Sequence, residues 1–136
     1  MLFPKKVKHR KWHRLRHSEE GFESRGTLVS FGSFALKSQE GGLVSAEQIE
    51  AGRKAIARYI QKGGKMWIRI FPDRPRTAKP AETGMGKGKG DPVGYYAVVR
   101  AGRVIFEIDG LSEVLSREAL RRAGAKLGIK TKIISR

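Results

Sequence analysis

The first eighteen residues contain no carboxylate, and the first acidic side chain is Glu19. Before it stand Lys5, Lys6, Lys8, Arg10, Lys11, Arg14 and Arg16, together with all three histidines of the chain, His9, His13 and His17. A segment of this charge density repels itself and has little to bury, so it cannot join a hydrophobic core. Pro4 argues further against a helix there. Residues 1–18 are therefore expected to be a basic arm, unstructured until an anion meets it. Residues 19–136 are left to form a single domain. The imbalance extends to the whole chain, whose 29 Lys and Arg face 13 Asp and Glu for a net charge of +16. A chain of this kind needs a polyanion, and nucleic acid fits best because its phosphates release counterions to Lys and Arg. An anionic membrane surface would require an amphipathic stripe, and Leu2, Phe3, Val7, Trp12 and Leu15 do not make one.

The absence of cysteine excludes a disulfide scaffold, a cysteine zinc site, an iron–sulfur cluster and a thiol nucleophile. No apolar run is long enough to span a bilayer, and the basic N-terminus lacks the apolar core of a secretory signal.

Within 19–136 the pattern alternates between strands and helices. Residues 19–25 read as a polar connector, and Thr27 to Leu36 as an extended segment in which Gly32 marks a bulge or a close backbone approach. Gly41-Gly42 reads as a turn. Ser45 and Gln48 have the spacing of a capping box opening a helix that Gly63-Gly64 ends. Lys65 to Phe71 alternates as a strand, with Trp67 expected in the core. Residues 72–93, rich in Pro, Gly, Lys and Arg, read as a long loop that is functional or disordered. Tyr95 to Val99 and Arg103 to Asp109 read as a hairpin turning at Arg100-Ala101-Gly102. Leu111 to Leu127 reads as a second helix capped by Ser112, with a stripe of Leu111, Leu115, Ala119, Ala123 and Leu127, and Lys130 to Ile134 as a last strand. The class is α+β, a mixed or antiparallel sheet carrying two helices.

The densest chemical signal is Met85-Gly86-Lys87-Gly88-Lys89-Gly90. Alternating Gly and Lys lets backbone approach a phosphate closely with cations at regular intervals. It does not fit the phosphate-binding pattern of nucleotide-hydrolysing P-loops, nor the dinucleotide fingerprint. Arg53, Lys54 and Arg58 lie off the apolar face of the first helix, and Arg74 and Lys79 flank the long loop. Trp12 has no apolar neighbours and suits stacking on a base; Tyr95 and Tyr96 could stack as well. His9 and His13 are four apart, but seven cations around them would repel a metal, so no metal site and no cofactor is expected. Glu107 and Asp109 are the sole paired carboxylates on a strand and read as a solvated face beside Arg103, so no enzyme is expected. A free-standing RNA-binding module and an enzyme built on Glu107 and Asp109 are the competing readings.

Several segments together resemble one family along nearly the whole chain. They are Leu2-Phe3-Pro4-Lys5-Lys6 with His9-Arg10-Lys11, and Val29-Ser30-Phe31-Gly32-Ser33-Phe34-Ala35-Leu36. Ile49-Glu50-Ala51 with Arg53, Trp67-Ile68-Arg69-Ile70-Phe71-Pro72-Asp73 and Lys79-Pro80 continue the series. Met85 to Gly90, Gly110, Glu118-Ala119 and Ile129-Lys130-Thr131-Lys132 complete it. The sequence is similar to the bacterial-type large-subunit ribosomal protein L-sixteen family. The resemblance implies a hammerhead-type α+β body, binding to large-subunit ribosomal RNA, contacts with A-site and P-site tRNA and with other ribosomal proteins, and a late role in subunit assembly. It implies that Met85 to Gly90 reach toward the peptidyl transferase centre. It further implies that Lys5, Lys6, Lys8, Arg10, Lys11, Trp12, Arg14 and Arg16 thread between RNA helices, and that Arg53, Lys54, Arg58, Arg74 and Lys79 add contacts. The family commonly carries Arg where this chain has Gly84, Pro where it has Gly128, and bases where it has Glu19, Glu20 and Glu23. A cytoplasmic location in the large subunit is expected, with an organelle of bacterial descent as the alternative.

Overall fold

The computed structural model describes residues 1–60 and 62–136. Seven strands and two helices follow in order: β1 (Phe34–Ser38), β2 (Gly42–Ser45), α1 (Ala46–Ala57), β3 (Lys65–Ile68), β4 (Arg74–Ala78), β5 (Asp91–Val99), β6 (Val104–Asp109), α2 (Glu113–Gly124) and β7 (Thr131–Ser135). The architecture is α+β, as expected. The strands, however, form two antiparallel sheets: four strands in the order β3-β6-β1-β7, and three in the order β2-β5-β4.

The capping box opens α1 as its spacing predicts: Gln48 N–H donates to Ser45 Oγ (3.2 Å) and Ser45 N–H donates to Gln48 Oε1 (3.0 Å). The helix then ends at Ala57, before Gly63-Gly64. Ser112 caps α2 through Leu115 N–H. Its buried face is Ser116, Ala119, Leu120 and Ala123, continued by Leu127. Leu115, placed in the stripe by its spacing, is exposed instead, because Ala119 and Leu120 together centre the buried face on the other side of it. The two helices meet each other, and Phe106, Ile108, Leu36, Ile49, Ile56, Leu120 and Leu127 join them to the sheets in one core. Gly52 lets α1 settle on that core, since a Cβ there would stand 2.9 Å from the Phe106 ring.

The expected hairpin at Arg100-Ala101-Gly102 does not form. β5 pairs with β2 and β4, whereas β6 pairs with β1 and β3, so this turn carries the chain from one sheet to the other. Buried Ser38 on β1 holds it: Ser38 Oγ donates to Arg100 O (2.7 Å), Gly102 N–H to Ser38 O (2.9 Å), and Ser38 N–H to Arg103 O (2.8 Å). Gly102 takes φ +96° to make the corner.

Residues 27–33 are not a strand. They lie over the outer face of β6, where Ser33 N–H donates to Ile108 O (3.0 Å). Gly32 is the close approach its sequence context suggests: a Cβ would meet Ile108 O at 2.5 Å. Gly32→Ala is therefore expected to cost about 1–3 kcal/mol, read by urea denaturation, because the obstacle is backbone and cannot step aside.

Under this cover Glu107 is fully buried rather than solvated. It accepts from Ser30 N–H (2.7 Å), Phe31 N–H (2.9 Å) and Arg69 (3.1 Å). Arg103, expected beside it, instead donates to Arg25 O and Arg69 O. Trp67 lies on this outer face too, half-buried and stacked on Phe31 with centroids 6.0 Å apart, and not in the main core. Asp109 is exposed and bonded to Ser33 Oγ (3.1 Å), so the two carboxylates do not share a site.

Acid is expected to loosen both helices. Arg53 donates to Glu50 (2.9 Å) and holds its carboxyl at about 2 instead of 4.5. Hydrogen bonds from Arg121 and Arg122 hold Glu118 at about 2 as well. Carboxyls depressed in the folded state contribute stability that is complete above about pH 4.5 and lost as the pH falls toward 2. Melting temperatures taken at pH 5 and at pH 2.5 should fall with acidity, and Glu50→Gln should shrink the drop.

Candidate nucleic-acid interface

The stretch 72–93 is mostly a ribbon and not a loop. β4 and β5 pair from Arg74↔Tyr96 to Ala78↔Asp91, with a register shift between Arg76 and Thr77. Pro75 is tolerated because β4 is an edge strand, and the shift lies next to Pro92, which has no N–H to give the ladder. At the base of the tip a Cβ on Gly90 would stand 2.6 Å from the Ala78 carbonyl, so only glycine closes the ribbon there. The connection from Lys79 to Gly90 forms the tip, where Met85 is 96% exposed. Lys79 Nζ ties the tip down by donating to Met85 O (3.0 Å) and Gly86 O (2.6 Å). Lys87 and Gly88 both take positive φ, +67° and +97°. Lys79 is thus engaged inside the ribbon, while Lys87 is exposed at its end.

The arm has no helix or strand in residues 1–18, yet it is fastened to the body along its length. Leu2 packs on the core, and the Met1 ammonium lies 3.8 Å from Glu50 on α1. Midway, Lys11 Nζ donates to Lys89 O (3.1 Å), Lys89 Nζ donates back to Trp12 O, and Lys11 lies 4.0 Å from Asp91. Arg74 sits over the Trp12 ring at 5.8 Å and donates to Ser18 Oγ (3.2 Å); Arg100 donates to Ser18 O (3.2 Å). The structure thus brings Lys11, Trp12, Arg74 and Lys89 together, although they come from opposite ends of the sequence range. Lys5, Lys6, Lys8, Arg10, Arg14 and Arg16 are exposed along the same arm. On α1, Lys54 and Arg58 are exposed, whereas Arg53 is neutralised by Glu50.

A second basic patch was not apparent from the sequence. Arg58, Tyr59, Arg121, Arg122 and Lys126 line a groove of about 290 Å³ where the ends of the two helices meet, with Arg122 5.8 Å above the Tyr59 ring. Arg121 and Arg122 read singly as ordinary surface residues of α2, and only the α1–α2 contact places Arg58 beside them. Arg76 and Tyr96 were likewise hidden, because their strands were read as a loop and as one arm of a hairpin.

A basic arm laced to a ribbon with a Gly/Lys tip is a surface for a polyanion. A family model described as Ribosomal protein L16p/L10e matches residues 4–134. The chain belongs to this family. Members of the L16p/L10e family are structural, non-enzymatic proteins of the large ribosomal subunit, and they act in translation in association with ribosomal RNA and other ribosomal proteins. The match takes in the arm, the ribbon and both helices of this chain. Among the described residues no helix is long and apolar enough to cross a membrane.

Proposed function

We propose that this protein binds large-subunit ribosomal RNA through its arm and ribbon and presents the Met85–Gly90 tip toward the A site and peptidyl transferase region. There it contacts A-site and P-site tRNA and helps order the surrounding RNA late in subunit assembly, in the cytoplasm. The observation that carries this reading is the crossed pair of contacts between Lys11 and Lys89, which makes the arm and the ribbon one continuous cationic surface. Lys5, Lys6, Lys8, Arg10, Arg14 and Arg16 along the arm, and Lys54 and Arg58 on α1, extend it. Their role is charge neutralisation and shape, with no proton transfer.

The test replaces Lys87 and Lys89 by Ala in large subunits reconstituted without the native copy. A-site tRNA affinity is expected to fall about tenfold, two phosphate contacts being removed from a steeply charge-dependent interaction. The melting temperature of the isolated variant should barely move, because both side chains are exposed and far from the core. Unchanged tRNA affinity would overturn the placement of the tip.

A further inference from the structure

A cavity of about 440 Å³ opens between the arm and the β4–β5 ribbon, within the range of roughly 300–1,000 Å³ that small-ligand pockets occupy. Trp12 and Tyr96 supply aromatic faces to its walls, and Arg14, Arg76 and Lys89 supply cations. Among the described residues no carboxylate lines it. Thr77 and Gln48 add polar side chains, and the Gln48 amide nitrogen is not used by the capping box, which engages only Oε1 and the backbone N–H.

We infer that this cavity holds a single unpaired RNA nucleotide, its base against Trp12 and Tyr96 and its phosphate among Arg14, Arg76 and Lys89. The inference rests on the proposed RNA-binding reading and names what one part of that surface recognises. Aromatic faces beside cations, without an opposing carboxylate, suit a planar ring attached to an anion. A base inside a duplex has both faces covered by its neighbours, so only an unpaired base can offer one to the indole. Thr77 and Gln48 can then meet the edge of that base, which bare phosphate neutralisation would not need. Arg74 acts as a positioning residue: it covers the Trp12 ring at 5.8 Å and anchors to Ser18, so the indole is held in place before RNA arrives. The wall is assembled only because the Lys11–Lys89 crossing brings the arm to the ribbon.

The experiment uses the full chain carrying Trp67→Phe, which leaves Trp12 as the sole indole. A short single-stranded oligoadenylate is compared with an abasic oligomer of equal length and charge, by quenching of Trp12 emission and by affinity. The oligoadenylate is expected to quench and to bind about tenfold more tightly than the abasic oligomer, as base–aromatic stacking supplies. Tyr96→Ala should reduce both the quenching and that ratio, Trp12→Ala should reduce the ratio, and Trp12→Phe should keep most of it, with far-ultraviolet circular dichroism confirming the fold of each. Equal binding of the two oligomers would overturn the nucleotide pocket while leaving the RNA surface standing. Failure of both to bind would overturn the RNA surface itself and the pocket with it. Quenching by millimolar AMP with no preference between the oligomers would assign the cavity to a free nucleotide and overturn the RNA assignment.

Discussion

Replacing Glu107 with Ala is expected to lower the free energy of unfolding by about 3–5 kcal/mol, the usual cost of removing one partner from a buried ion pair. Glu107 is fully buried, and its two oxygens take up Ser30 N–H, Phe31 N–H and the Arg69 guanidinium. Without it two backbone donors and a cation are left under the 27–33 cover with no acceptor, and each pays its own desolvation. The cover should lift as the pair is lost, because Phe31 reaches Trp67 and Arg69 only from that position. Urea denaturation would give the magnitude, and Trp67 emission would shift toward that of an exposed indole. Glu107→Gln should fall between Ala and the parent chain, since the amide keeps one acceptor but turns a second donor toward backbone N–H. A loss below about 1 kcal/mol for Ala would mean that the carboxylate is solvated after all.

Neutralising the arm is expected to have the largest effect on binding. Changing Lys5, Lys6, Lys8, Arg10, Lys11, Arg14 and Arg16 to Gln removes seven cations. Each phosphate contact contributes roughly 0.7–0.9 to the slope of log affinity against log salt, so that slope should flatten by about 5–6 if all seven engage. Titrating a large-subunit ribosomal RNA fragment across a salt series measures it. A small change in slope with a large change in affinity would indicate that the arm acts by shape. The fold should survive the replacement, since of these residues only Lys11 touches the body through its own side chain, and the arm is also held by Leu2 and Ser18.

How far the sequence spoke for the fold depended on the range of the interactions. The capping box at Ser45 and Gln48, the Ser112 cap and the close approach at Gly32 were legible because a few neighbouring residues determine each. The second sheet was not. A short turn between two apolar runs looks like a hairpin, and nothing local in Arg100-Ala101-Gly102 reveals that Ser38, more than sixty positions away, will hold it as a corner. The ribbon at 74–78 was hidden by Pro75 and its charges, which are acceptable only on an edge strand whose bulge relieves the register. Glu107 looked solvated because strand alternation says which face a side chain takes and not what will cover that face. The candidate site divides in the same way. Its cations and its Gly/Lys tip stand out as composition, but the crossing of Lys11 with Lys89, the cavity behind Trp12 and the meeting of Arg58 with Arg122 exist only in the folded chain.

Sedimentation tests the central claim most directly. The tagged full chain, expressed in its own cell, is run on a sucrose gradient, and the pooled large subunits are washed with high salt. Co-migration with the large subunit that survives the wash is the predicted result, since the arm and ribbon are held by shape as well as charge. Recovery at the top of the gradient, or release on washing as counterion competition dictates for purely ionic contact, would contradict it and point to a free-standing RNA-binding module.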